Sequence, residues 1–170
     1  MLNGAGMGRW EKIERVLCVR FGTAGDVSTA SPAIRALKES RPGRRITLLT
    51  APGALQAGLT TEITGTISYE APWMKGSALR RDSRPEREIA ERLRQARFEA
   101  AVIFTAFDES PLPSAFLCYL AEIPLRLAYC RENPHHLLTD WLAEPCPPRD
   151  EAQRHLDLVA SVVSMPFLPA

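Results

Sequence analysis

Apolar residues in this chain fall into two alternating patterns, short continuous runs and longer stretches with spacings of three and four. Val16-Leu17-Cys18-Val19-Arg20-Phe21 is a run of the first kind that stops at Gly22, as a strand buried on both faces does. Arg45-Ile46-Thr47-Leu48-Leu49-Thr50, the stretch from Ile63 to Tyr69, Ala100-Ala101-Val102-Ile103-Phe104 and the stretch from Pro124 to Cys130 repeat it, which predicts five strands. Ala33, Ile34 and Leu37 mark one face of a helix that follows Asp26 and runs towards Ser40. Pro32 falls in its early turns, so the helix either starts near Ser31 or is distorted there. A short helix is expected around Ala54 to Gly58. From Pro85 to Arg97, Ile89, Leu93 and Ala96 lie among charged residues, an amphipathic helix with a solvated outer face. Phe116, Leu117, Tyr119 and Leu120 mark an apolar helix, and a final one spans about Asp150 to Ser164.

Strands alternating with helices at this spacing predict a mostly parallel, Rossmann-like α/β sheet with helices on both faces and right-handed crossovers. A length of 170 residues fits one compact domain. Residues 1–15 read as a polar leader and 16–170 as the domain. Arg41-Pro42-Gly43 is a break, Trp73, Met74 and Lys75 lie in a long loop, and Leu137 to Trp141 is a short segment of unassigned type. Pro145-Cys146-Pro147-Pro148 reads as a semi-rigid connector.

Charge and composition narrow the partners. Twenty-one basic residues against twenty acidic ones leave a formal net charge of +1, so no polyanion field directs the chain to nucleic acid. Cys18, Cys118, Cys130 and Cys146 are widely spaced and include no CxxC pair, which fits a reduced, cytoplasmic chain. The amino-terminal stretch lacks an apolar signal region, and no run reaches the roughly 18 apolar residues of a spanning helix. Trp73 with Lys75, and Arg80, Arg81 and Arg84, are the features that would touch a membrane surface, such as the inner membrane, peripherally.

In a parallel sheet of this kind, ligands gather beyond the carboxyl ends of the strands. The first loop there is Gly22-Thr23-Ala24-Gly25-Asp26, whose glycines permit close approach and whose Thr23 offers a hydroxyl. The loop matches neither GxGxxG nor a P-loop. Asp26 reads either as a helix cap or as a general base that takes a proton from an attacking sugar hydroxyl. Arg20 reads either as a fork for an acceptor phosphate or carboxylate or as a partner of Asp26 or of a nearby backbone carbonyl. Glu132 and Asn133 follow the fifth strand and face the same crevice, although Asn133-Pro134 is also turn chemistry. Asp108 and Glu109 are read as turn or cap residues. His135 and His136, adjacent and without a second ligand pair, read as surface residues, so no metal is expected. His155 reads as solvated.

The stretch VLCVRFGTAGDVSTASPAIRALKESRPGRRITLLT resembles the opening of the heptosyltransferase-like glycosyltransferase family 9, through Arg20, Gly25, Asp26, Val27, Pro32, Ala36 and Leu37. FEAAVIFTAFDESPLPSAFLCYLAEIPLRLAYCRENPHHLLTDWL resembles the family's middle segment. The resemblance implies one half of a GT-B fold of two facing Rossmann-like domains. It also implies inverting transfer of a sugar from a nucleotide-sugar donor to a cell-envelope glycan or glycolipid acceptor, without a required metal or other cofactor. It puts the acceptor in this amino-terminal half and Asp26 as the candidate base, with the donor held by a second domain beyond the final helix. An isolated half is then expected to be inactive and to self-associate through its uncovered face. Two alternatives stand beside this reading: a non-catalytic remnant or binding module, and an unrelated Rossmann-like nucleotide-binding protein.

Overall fold

The computed structural model describes residues 5–56 and 61–164. Its elements run α1 (Ala5–Glu11), β1 (Arg15–Val19), α2 (Ala24–Glu39), β2 (Arg45–Thr50), a 3₁₀ turn at Pro52–Gln56, β3 (Gly65–Ser68), α3 (Arg84–Gln95), β4 (Ala100–Ile103), α4 (Leu112–Leu120), β5 (Leu125–Tyr129), β6 (Asp140–Leu142) and α5 (Glu151–Ala160). The end of the short helix expected around Ala54 to Gly58 lies outside the described residues.

All six strands pair in parallel, in the order β3-β2-β1-β4-β5-β6. The chain winds outward from β1 to β3, then crosses back through α3 to place β4 on the other side of β1. The strand order therefore reverses between β1 and β4, and a crevice opens at the carboxyl ends of those two strands.

Alternation along the strands divides the core into two layers. Val16 and Cys18 of β1 pack with α2 and α5 through Ile34, Leu37, Leu158 and Val159, while Leu17 and Val19 face α3 and α4 through Ile89, Leu93, Leu117 and Cys118. Each fully buried leucine contributes about 1.5–3 kcal/mol relative to exposure. Cys18 and Cys118 serve here as apolar packing. Burial pushes both thiols up to about 12, so they stay protonated at neutral pH.

Pro32 lies inside α2 without ending it. Pro32 and Ser28, the residue whose carbonyl loses its helical donor, both lie outside the buried core, so water can satisfy that carbonyl. The buried face of α2, Val27, Ala30, Ala33, Ile34 and Leu37, is unbroken and holds the helix in place.

Two elements differ from the expectation, and they touch each other. The segment read as a polar leader contains α1, whose Trp10 is completely buried. The Leu137 to Trp141 segment leads into a sixth, edge strand. Asp140 on that strand, 4% exposed, accepts from Trp10 Nε1 at 3.3 Å and from Arg9 at 2.9 Å. Arg44, also fully buried, ties this corner to α2 by donating to the Trp10, Ile13 and Leu37 carbonyls. Trp10→Ala should therefore destabilise the domain by about 3–5 kcal/mol in denaturant titration, as for other buried aromatics. A loss under about 1 kcal/mol would show α1 to be an appendage.

Candidate functional site

Arg20 directly follows β1 and still belongs to the ladder through its amide, which donates to the Leu49 carbonyl at 3.0 Å. The backbone then turns sharply at Gly22, with φ of +119°. A Cβ at that position would lie 2.4 Å from Asp26 Oδ2, so glycine is required both by conformation and by the carboxylate's approach. Thr23 caps α2, and Asp26 stands three residues later as the reciprocal half of a capping box. Asp26 Oδ2 accepts from the Thr23 amide at 2.5 Å and from its hydroxyl at 2.8 Å, while the Asp26 amide donates to Thr23 Oγ1 at 3.3 Å. The cap itself is thus Thr23.

The Asp26 carboxyl is also one of three that meet the Arg20 guanidinium. Arg20 is 1% exposed and donates to Asp26 Oδ1 at 3.2 Å, Glu109 Oε2 at 2.9 Å, Glu151 Oε1 at 3.0 Å and the Phe21 carbonyl at 2.9 Å. These carboxylates come from α2, the β4–α4 loop and the first turn of α5, all of which open onto the crevice. Arg20 is accordingly the partner of Asp26, and its terminal N–H groups are taken by three of the chain's own acids and the Phe21 carbonyl, while its buried Nε is left without a partner. Partial burial disfavours an ionised Asp26, but the Thr23 amide and hydroxyl and the Arg20 charge together outweigh it and hold the carboxyl below its ordinary range. Asp26 is therefore a carboxylate at neutral pH. Its Oδ2 is doubly engaged and its Oδ1 has one partner.

A second buried arginine braces the neighbouring wall. Arg154 on α5 forms a bidentate pair with Glu144, donates to the Thr105 carbonyl, and lies over the Tyr129 ring at 4.7 Å. His155 is fully buried beside it, with its ring 3.2 Å from the Thr105 carbonyl and 5.0 Å, edge to face, from Phe104. The expectation of a solvated His155 is thereby corrected. The α5 face that carries Leu158 and Val159 also carries His155 one turn earlier, and burial drives its pKa down to about 4, so it packs as a neutral ring.

Between β1 and β4 lies a pocket of about 170 Å3. Phe21, Trp73, Met74 and Phe104 form its apolar walls, and Thr105, Glu109, Ser110 and Ser114 supply its polar groups. Trp73 meets Phe21 edge to face at 5.9 Å and Tyr69 at 6.1 Å, which seats the long loop against the crevice. Beyond Glu109 a smaller cleft is lined by Asp108, Glu132, Glu144 and Arg131. Glu132 does reach the crevice, but Asn133 is used locally: its Oδ1 accepts from the His135 amide at 2.8 Å. His135 and His136 both lie outside the buried core, and no group of metal-ligating side chains among the described residues could hold an ion.

Of the residues that the sequence pattern singles out, Arg20, Gly22, Thr23, Gly25 and Asp26 lie at the carboxyl end of β1, joined to the pocket through the Arg20–Glu109 pair, and Glu132 lines the neighbouring cleft. The pattern undervalues Glu109, whose Oε2 both stabilises its own turn through the Ala106 amide at 2.8 Å and binds Arg20. It does not single out Glu151, which lies 131 residues from Arg20 in sequence. The one available signal is topological: α5 begins on the same edge of the sheet as α2.

The sheet order and the loop at its switch point define a Rossmann-like α/β fold. The chain is similar in structure to glycosyl transferase family 9 from Veillonella parvula, with a TM-score of 0.71, 14% identity, and coverage of 88% of this chain and 41% of that one. It is also similar to Escherichia coli heptosyltransferase WaaC with ADP-2-deoxy-2-fluoro heptose, at 0.67 and 18%, covering 91% and 50%. A third likeness is to E. coli ADP-heptose lps heptosyltransferase II, at 0.60 and 20%, covering 85% and 40%. The chain thus spans half or less of the length of these structures. No family model and no curated protein matches its sequence. Among the described residues no helix is long and apolar enough to cross a membrane.

Because Gly22 fixes where Asp26 sits, Gly22→Ala should cost about 1–3 kcal/mol in denaturant titration, the range for a side chain forced into a sparsely populated backbone region. Unchanged stability would mean that the loop relaxes freely and does not pin the carboxylate.

Proposed function

We propose that this chain is the acceptor-binding amino-terminal domain of an inverting glycosyltransferase that acts on a cell-envelope glycan or glycolipid. The observation that carries the proposal is the Asp26 carboxylate, ionised and held by Gly22, Thr23 and Arg20 at the mouth of the β1/β4 crevice. Asp26 Oδ1 takes the proton of an acceptor hydroxyl as that oxygen bonds to the anomeric carbon of the donor sugar. The bond from that carbon to the nucleoside diphosphate breaks on the opposite face, and the pair of electrons leaves with the diphosphate. The lowered proton affinity keeps Asp26 ionised and ready to accept a proton but makes it a weak base, so proton transfer has to accompany formation of the new bond. In this reading the donor is held by a second domain facing the crevice, and Asp26, Thr23, Gly22 and Gly25 shape the acceptor side. Glu132 forms the outer rim.

The same loop argues against nucleotide binding in this half. The capping box occupies amide groups at the start of α2 that a phosphate would need, and Asp26, Glu109 and Glu151 surround the single Arg20 guanidinium. The membrane contact expected of Arg80, Arg81 and Arg84 is weakened by pairing of Arg80 with Glu86 at 2.8 Å.

Calorimetry on these 170 residues should detect acceptor saccharides and no nucleoside diphosphate-sugar. With both domains present, Asp26→Asn should lower kcat by roughly 10²–10⁴ with a smaller change in acceptor KM, the usual loss on removing a general base. Tight nucleotide binding by this domain alone, or full turnover by the Asp26→Asn enzyme, would contradict the assignment.

A further inference from the structure

Resting on the acceptor reading of the crevice, we infer that the pocket between β1 and β4 receives an uncharged 2-acetamido sugar, reading its acetamido group through Glu109 and Ser114. The pocket joins two features that have no use in the capping and ion-pair network. The first is its apolar wall of Phe21, Trp73, Met74 and Phe104, closed on one side by the long loop. The second is Ser114, in the first turn of α4. It is 5% exposed and lines the pocket, yet its hydroxyl takes part in none of the side-chain hydrogen bonds found among the described residues. With no partner among the described residues and the little exposure that Ser114 keeps, the hydroxyl is left for a ligand or solvent in the pocket to complete.

The pocket's polar groups form a complementary set. Glu109 is an acceptor only. Its Oε2 is taken by Arg20 and the Ala106 amide, while its side chain remains 35% exposed at the junction of the pocket and the neighbouring cleft. Ser114 supplies a hydroxyl donor. An acetamido group presents an N–H donor, a carbonyl acceptor and a methyl group in one plane. Its N–H can donate to Glu109, its carbonyl can accept from Ser114, and its methyl suits the aromatic wall.

Charge excludes the nearest rivals. A sugar carboxylate or phosphate would enter beside Asp26, Glu109 and Glu151, whose only shared cation is already filled by them. Arg131, the cation of the neighbouring cleft, stacks on the Phe107 ring at 4.2 Å and donates to its carbonyl. A sugar ammonium would lose its hydration against four apolar side chains for a carboxylate that is already paired. A sugar with only hydroxyls lacks the acetamido methyl and fills the apolar wall less completely.

Saturation-transfer NMR and calorimetry on the present chain, with four disaccharides as probes, test this. N,N′-diacetylchitobiose should bind with its acetamido methyl protons most strongly saturated. Cellobiose, the deacetylated chitobiose diamine and a uronic acid dimer should each bind at least roughly tenfold more weakly, the effect of about 1.4 kcal/mol. Ser114→Ala, a mild change inside a helix, and Trp73→Ala, in the loop, should each bring diacetylchitobiose down to the cellobiose level while thermal unfolding confirms that they fold. Equal binding of cellobiose and diacetylchitobiose, or tighter binding of the uronic acid, overturns the acetamido assignment and leaves the acceptor reading in place. Absence of binding by every saccharide overturns both.

Discussion

Arg20 leaves the sheet at the point where the strand order reverses, and its guanidinium, 1% exposed, is the meeting place of three segments that otherwise share no covalent or ladder connection. A buried cation carries a large desolvation cost, and here three carboxylates and the Phe21 carbonyl offset it. Conversely, the three acids tolerate one another because Arg20 lies between them. Removing the guanidinium would leave Asp26, Glu109 and Glu151 to repel each other across the crevice. The rim of the site is thus an electrostatic assembly, set on a rigid sheet whose register is fixed by burial on both faces.

From that cluster the division of labour in the crevice follows. The charged groups mainly hold the walls, which leaves Asp26 Oδ1, the exposed part of Glu109 and the aromatic pocket as the parts open to a ligand. Gly22 and Thr23 aim the carboxylate, the Arg154–Glu144 pair and neutral His155 stiffen the far wall, and Trp73 folds the long loop inward. Such a site suits an uncharged, hydroxyl-bearing ligand better than a phosphate.

Much of this is legible in the sequence, for physical reasons that can be named. Strands buried on both faces leave unbroken apolar runs, and those runs mark β1, β2, β4 and β5 to within a residue or two. Gly22 to Asp26 stands out because glycine costs backbone entropy and a carboxylate costs desolvation, and neither helps the end of a buried strand to pack. What stays hidden is held by contacts distant in sequence. α1 and β6 are short, and each depends on the other through Trp10 and Asp140, so neither shows a period of its own. His155 looks solvated because arginine and aspartate lie close to it in sequence, yet Arg154 is itself buried against Glu144 and Tyr129. Glu151 can be found only by knowing that α5 returns to the edge where α2 begins. Pro32 suggests a broken helix because local rules weigh a lost hydrogen bond without knowing that it faces water.

Whether the β1/β4 mouth is the ligand site is tested most directly by mapping backbone amide shifts during a saccharide titration. Shifts concentrated at Phe21 to Asp26, at Trp73 and Met74, and from Thr105 to Ser114 are expected. Shifts confined to the opposite end of the sheet, around Arg15, Arg45 and Arg92, would place the ligand elsewhere and remove Asp26 from the chemistry.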